Sequence, residues 1–231
     1  MVLTAKQKKI CDLRLAEHKH KRYEVDIKLA DITLKNFIVD SDVFRPETTS
    51  GFYLARFLSG HKDLYNGKEI LDMCCGSGIQ GVVMGLKGAK RVSFRDISIE
   101  AVKNAKENVQ RFGLSSKSVV SQGDLFDNIK GKFDVIVCNH PFFDSDPLKN
   151  EPITRAWFNS GELIVRFLRE APNYLKDGGI ILIPFFPFAG KKNDPKLHAK
   201  KQGYKVEIIH NEIISDENIQ KGEFIIYGIS L

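Results

Sequence analysis

Residues 70–81 read Ile-Leu-Asp-Met-Cys-Cys-Gly-Ser-Gly-Ile-Gln-Gly, and they decide the architecture. The run "KEILDMCC" has the apolar content of a buried strand, and "GIQGVVMGLKG" has the pattern of a helix. Between them Gly76-Ser77-Gly78-Ile79-Gln80-Gly81 spells G-x-G-x-x-G. A strand passing through a glycine turn into a helix opens a nucleotide-type binding unit, because a ligand can approach that backbone without Cβ atoms in the way. Many ligands use the device, so the string alone does not choose among them.

Asp72, four residues before Gly76 at the carboxyl end of the strand, narrows the choice. A dinucleotide would bring an anionic pyrophosphate to the turn, where unit charges ~4 Å apart interact by roughly 4 kcal/mol at an effective dielectric of about 20. The carboxylate repels that ligand and attracts a cationic one. S-adenosylmethionine, with an ammonium and a sulfonium beside one carboxylate, has the right sign. The competing role for Asp72 is a cap on the turn that follows.

Strand and helix then alternate. "RVSFRDI" (91–97) carries Asp96 eighteen residues beyond Gly78, with Ile97 next to it. An acidic residue about 20 positions past such a turn is placed to accept hydrogen bonds from both ribose hydroxyls; its competing role is to cap the helix "SIEAVKNAKENVQRFG". "SVVSQGD" (118–124) ends in Asp124, followed by Leu125, and "FDVIVCN" (133–139) ends in Asn139. Further strands are "IILIPFF" (180–186), "KVEIIHNEII" (205–214) and "EFIIYGISL" (223–231), with helices near 160–176 and 195–202. This order predicts an α/β fold with a mainly parallel seven-stranded sheet. No helix-length segment separates the last two strands, so the last strand is expected to run antiparallel.

Ahead of this body, residues 4–22 ("TAKQKKICDLRLAEHKHKR") predict a helix with Ile10, Leu13 and Leu15 facing inward. Its lysines and arginines form either a solvated face or an arm that touches phosphates. Residues 23–39 alternate apolar and polar in two runs, which predicts a β-hairpin turning near Asp31. In "VFRPETTSGFYLARFLSG" (43–60), Pro46 sets an extended entry and Thr48, Thr49 or Ser50 caps a helix. Phe52, Leu54, Phe57 and Leu58 supply that helix's buried face, placing it as a roof over the cofactor. The expected organisation is a basic N-terminal extension over 1–45 and a catalytic domain over 46–231.

A hydrophobic share of 42% against 28% charged describes an ordinary globular chain, and 35 basic against 29 acidic residues permit a polyanionic partner without demanding one. The four cysteines show neither C-x-x-C spacing nor a pairing with histidines, which argues against a disulfide scaffold or a metal site and fits a reducing cytoplasm. The N-terminus lacks an apolar signal core, and the longest apolar run, about ten residues, is too short for a bilayer.

Asp72, Asp96, Asp124 and Asn139 all fall at carboxyl ends of strands, where open α/β sheets bind ligands. The fourth opens "CNHPFFDSD" (138–146), and here the chain resembles class I S-adenosylmethionine-dependent methyltransferases of the small-domain group. "DMCCGSG" resembles that group's cofactor motif, "FRPETTS" its Arg-Pro-Glu/Asp-Thr segment, and "NHPFF" its Asn-Pro-Pro-Tyr/Phe motif. The group includes glutamine N5-, adenine N6- and guanine N2-methyltransferases. The resemblance covers roughly residues 32–231 and implies a Rossmann-like methyltransferase fold.

It also implies a site. Asp72, Cys74, Gly76, Ser77, Gly78, Asp96, Ile97, Asp124, Leu125 and Asn139 would hold S-adenosylmethionine. Asn139, His140, Pro141 and Phe142 would hold the substrate nitrogen, with Arg45, Thr48, Thr49 and Phe143 as substrate or lid contacts. A planar amine is a poor nucleophile, and accepting its two N–H groups holds it towards the methyl group. The resemblance assigns those acceptors to Asn139 Oδ1 and the His140 backbone carbonyl, while Pro141 stiffens the turn and Phe142 offers a flat face. His140 departs from the group's usual proline and is expected to act through shape or substrate contact, with an acid–base role as the alternative, and Cys74 replaces the commoner first glycine. Trp157 and Phe158 read as core of the next helix, the alternative being that they close over the substrate. The expected substrate is an exocyclic amine of RNA (guanine N2 or adenine N6), with protein glutamine as the alternative; a second basic cluster from Lys191 to Lys205 favours RNA if it shares the cofactor face with the first. The readings of other classes are a nicotinamide-dependent oxidoreductase, which Asp72 and "NHPFF" oppose, and a noncatalytic nucleic-acid-binding module.

Overall fold

The chain opens with helix α1 (Ala5–His18), a hairpin of β1 (Tyr23–Lys28) and β2 (Thr33–Val39), and helix α2 (Ser50–Gly60). There follow β3 (Glu69–Met73), α3 (Ile79–Leu86), β4 (Arg91–Asp96), α4 (Ile99–Arg111), β5 (Ser118–Gln122) and β6 (Phe133–Cys138). The last third holds α5 (Glu162–Glu170), β7 (Leu175–Phe185), α6 (Pro195–Lys201), β8 (Lys205–Ile214) and β9 (Gly222–Ser230). This computed structural model describes residues 4–48, 50–143, 152–159, 161–215 and 222–231.

The seven-stranded sheet has the order β5-β4-β3-β6-β7-β9-β8. From β5 to β7 all neighbours are parallel. The last strand, β9, is antiparallel to both its neighbours, pairing Gly228 with Leu182 of β7 and Tyr227 with Ile208 of β8. The expected Rossmann-like methyltransferase architecture is therefore present, with the last strand inserted between its predecessors. The chain builds outward from β3 to β5 and returns on β3's other side as β6. Ligands bind at such a switch point.

Strand β7 begins at Leu175, five residues before the expected start. Gly178, in the left-handed region, lets the chain kink there, and the β6–β7 register shifts between Phe133 and Val135.

Helix α1 starts on a capping box in which Gln7 N–H donates to Thr4 Oγ1 and Thr4 N–H donates to Gln7 Oε1. With the start fixed at Thr4, the inward stripe falls on Cys11 and Leu15, and Leu13, expected inside, is 39% exposed. The side chain of Ile10 lies outside the described residues. On α2 the buried stripe is Leu54, Ala55, Phe57 and Leu58; Phe52 is only half-buried, with the Arg56 guanidinium over its ring.

The hairpin is fastened to α4 by two fully buried asparagines. Asn108 Oδ1 accepts from Ile38 N–H at 2.9 Å, and Asn108 Nδ2 donates to Ile38 O and to Ser77 O of the glycine turn. Asn104 Nδ2 donates to Ile38 O and its Oδ1 accepts from Asp40 N–H. These side chains satisfy β2 backbone groups that no neighbouring strand covers on that edge. By contrast, the Arg22 pairs with Asp40 and Glu107 lie largely in solvent and add little.

Candidate active site

A cavity of about 380 Å³ opens at the carboxyl ends of β3, β4 and β6. That falls in the roughly 300–1,000 Å³ range of small-molecule sites. Cys74, Gly76, Ser77, Asp96 and Ile97 line one side, and Asn139 to Phe143 the other. Thr48 lies in the lining, so the segment before α2 does reach the pocket. Thr49 lies outside the described residues.

Asp96 organises the turn. Its Oδ2 accepts from Gly76 N–H and its Oδ1 from Ser98 N–H, both at 2.9 Å. Burial pushes its carboxyl above the usual range, against the pull of these backbone donors. The side chain thus braces the turn and also lines the cavity, while the cap of α4 is made by Ser98, whose Oγ accepts from Ala101 N–H at 3.2 Å. Ile97 and Ile99, both in the lining, are exposed, and provide a flat apolar rim beside the carboxylate.

Asp72 sits differently from the sequence expectation. It is 1% exposed, absent from the cavity lining, and its Oδ2 accepts from Gly81 N–H at 2.8 Å. Gly78 is the N-cap of α3 and has no side chain to cap with, so Gly81 is an orphan first-turn donor. The carboxylate of the preceding strand supplies the missing cap and meets the positive end of the helix. The capping role, left open by the sequence, is the one the hydrogen bond displays. Burial raises its carboxyl well above the usual range.

Asp124 and Leu125 also lie outside the lining. Asp124 Oδ2 pairs with Arg166 at 3.0 Å, and Leu125 O accepts from the buried Arg95 Nε at 3.0 Å. Arg95 further donates to Gln122 O, Ser121 Oγ and Asp127 O, so the β5 end is a cradle for a guanidinium. Arg45 is likewise outside the lining, engaged with Glu47 and the Tyr23 hydroxyl. Gly78 stands behind the turn with φ 84°, where Ala105 approaches it. Cys74, which replaces a glycine, holds φ 57°, a left-handed conformation that strains a residue with a Cβ. A hydrogen bond with the Cys138 thiol, together with burial, keeps its own thiol protonated.

The family model described as "methyltransferase small domain" matches residues 53–206, two-thirds of the chain. The chain belongs to the methyltransferase small-domain family. It is thereby an S-adenosylmethionine-dependent methyltransferase. A Methanocaldococcus jannaschii protein provisionally named as a protein N5-glutamine methyltransferase is 34% identical over 79% of this chain and 89% of its own length. The ribosomal RNA small subunit methyltransferase C of Alcanivorax borkumensis is 35% identical over 55% of this chain and 35% of its own. The chain thus spans only about a third of that second relative. Among solved structures, a ribosomal protein L11 methylase from Lactobacillus delbrueckii subsp. bulgaricus superposes with a TM-score of 0.56 at 19% identity, covering 83% of each chain.

The methyltransferase's pocket fits its methyl donor on chemistry found in the cavity itself. An open turn at Gly76, where a Cβ would meet nothing, adjoins the Asp96 carboxylate and an apolar rim. Across the cavity Asn139 Oδ1 is buried without a hydrogen-bond partner among the described residues. Buried acceptors are ordinarily satisfied, so this one is available to a ligand.

His140 is buried, and its Nδ1 lies 2.9 Å from Pro141 O. Burial lowers its pKa to about 4. The sign of the consequence follows directly. An unfolded imidazole takes a proton below pH ~6.5, whereas the folded one refuses it down to about 4, so stability falls as pH drops through that window and is intact above it. We expect denaturant unfolding of the wild type to lose up to ~1.4 kcal/mol per pH unit there through this group, and His140→Phe to lack that increment.

The far wall was not foreseen. Phe186, Phe188 and Ala189 line the cavity, contributed by a single turn (Pro187–Ala189) after β7. The sequence read Phe186 as the end of a strand; Pro187, immediately after, was the available signal. Asn193, 1% exposed, donates to Phe142 O at 3.1 Å and Asn159 O at 2.9 Å, and so holds the loop after β6. Embedded in "KKND", it gave no sign of burial. Trp157 and Phe158 are buried as expected of core, and Trp157 also lines the cavity. Phe143 pairs with the same segment: its N–H donates to Trp157 O and its carbonyl accepts from Asn159 N–H.

No group of metal-ligating side chains occurs among the described residues, and no described helix is long and apolar enough to cross a membrane.

Proposed function

We propose that this chain methylates a planar amino nitrogen, and that the nitrogen is an exocyclic amine of an RNA base, guanine N2 or adenine N6. The observation that carries the reading is Asn139 Oδ1, an unpartnered buried acceptor in the same cavity as the glycine turn and Asp96. When bound, S-adenosylmethionine supplies an electrophilic methyl group on a sulfonium. Asp96 would accept from its ribose hydroxyls, and Gly76 and Ser77 leave room for its backbone-side atoms. Asn139 Oδ1 accepts an N–H of the amine and fixes its direction. Phe142 and the aromatic wall opposite exclude water and suit a flat heterocycle.

The RNA preference is supported by where the basic segments attach. Gln7 Nε2 donates to Phe188 O at 2.8 Å, so the basic helix α1 rests on a cavity-lining residue. Lys8 and Lys9 on that helix are exposed, and Lys191, also exposed, follows shortly after the cavity-lining Ala189 in the chain. Clustered cations beside an aromatic pocket are the footprint of a polyanion carrying flat bases. A second reading, a protein glutamine, is favoured by the name of the Methanocaldococcus jannaschii relative. Incubation with methyl-labelled cofactor and fractionated cell extract separates them. Label in RNA is expected, and label confined to protein would establish the second reading.

Cofactor affinity supplies a further check. Asp96→Ala removes the ribose acceptor and frees the Gly76 and Ser98 amides. Adenosylhomocysteine binding, followed by calorimetry, is expected to weaken by ~10- to 100-fold, the size of a lost charged hydrogen bond. Unchanged affinity would remove Asp96 from the site.

A further inference from the structure

Asn139 and His140 are neighbours in the loop after β6, both line the cavity, and each carries a buried polar atom without a partner among the described residues: Asn139 Oδ1 and His140 Nε2. A single contact fixes the state of the imidazole. Its Nδ1 lies 2.9 Å from Pro141 O, and a carbonyl oxygen only accepts, so Nδ1 carries the hydrogen. In the neutral ring Nε2 then holds a lone pair. Burial keeps the ring neutral at physiological pH. Phe142 stands edge-to-face against it, ring centroids 5.2 Å apart, which limits its rotation.

We propose that His140 Nε2 is the second acceptor for the substrate amino group, and that it takes up the proton this nitrogen sheds. The proposal rests on the methyl-transfer reading above. A planar NH2 presents two hydrogens, and the loop presents two unpartnered acceptors. One N–H points to Asn139 Oδ1 and the other to Nε2. The amine lone pair would form the new N–CH3 bond as the donor's S–CH3 bond breaks, that pair remaining on the departing neutral thioether; the N–H electron pair then stays on nitrogen, its proton passes to Nε2, and Nε2 becomes N–H. A weak base suffices, because a planar amine that has gained a methyl group while keeping both hydrogens is a strong acid. The imidazolium returns its proton to water once the methylated product has left. A backbone carbonyl at position 140 would need no particular side chain. A buried histidine with an orphaned nitrogen is costly to keep, and a ligand hydrogen bond offsets that cost.

His140→Pro restores the residue usual in the resembling family and keeps the backbone carbonyl while deleting Nε2, so it separates the two acceptors. With methyl-labelled cofactor and the cell fraction that the wild type labels, we expect kcat to fall ~100-fold while adenosylhomocysteine affinity is unchanged. His140→Gln, which offers an acceptor on a side chain of similar reach, is expected to recover part of the loss. Nitrogen-15 spectra of histidine-labelled wild type are expected to show the Nδ1–H tautomer at pH 7. Full activity of His140→Pro, or an Nε2–H tautomer, would overturn the assignment. Absence of transfer by the wild type would instead remove the methyl-transfer reading, and the spectrum would still decide whether Nε2 offers a lone pair.

Discussion

Asn139→Ala is expected to lower turnover by ~10²- to 10³-fold, the cost of deleting one positioned polar group from a transition state. Adenosylhomocysteine binding should weaken far less than turnover, and the variant should be no less stable than the wild type. The last expectation distinguishes a functional from a structural asparagine. Oδ1 is buried with no partner among the described residues, an arrangement that costs stability in the free protein. Replacing a stabilising group would lower the unfolding free energy, whereas replacing this one relieves an unsatisfied acceptor. Single-turnover transfer of labelled methyl measures the first effect and denaturant unfolding the last. Wild-type turnover in the variant would dismiss the amine clamp.

The second large effect concerns stability and falls on Gly81. Its place in G-x-G-x-x-G suggests a ligand contact, but a Cβ there would come within 2.6 Å of Phe94 Cζ and closer still to Cε1. Phe94 is fully buried at the centre of β4 and has nowhere to move. Gly81 therefore sets how closely α3 lies on the sheet. Gly81→Ala should destabilise by ~3 kcal/mol through overpacking, lowering Tm by ~6–12 °C for a chain of this size. The loss should be the same with or without cofactor present at the start. A thermal melt within a degree of wild type would show that the helix can lift without cost.

The strand–turn–helix at residues 70–81 was legible because both periodicities and the glycine punctuation agree there. The same agreement carried through β4, β5 and β6, and the sequence placed Asp96 and Asn139 at strand ends that the fold brings around one cavity. What a linear reading could not supply was direction. Asp72 and Asp96 look alike as acidic strand ends, yet the first turns under α3 to reach Gly81 and the second turns up to Gly76. Asp124 follows the same rule on paper and pairs with Arg166, a partner 42 residues away. In α1, the apolar residues at 13 and 15 cannot both face inward on a helix, and the buried face is the one that Leu15 shares with Cys11. The wall at 186–189 stayed hidden because an apolar run at the end of a strand reads as more strand.

Asn108 grips the hairpin with two hydrogen bonds and the glycine turn with a third, through a single amide. A protein engineer who exchanged the leading segment of this chain for that of a relative would be tampering with the nucleotide grip from behind. Such a chimaera would need to import residues 104 and 108 together with its new front end, or find the turn slack before any substrate was offered.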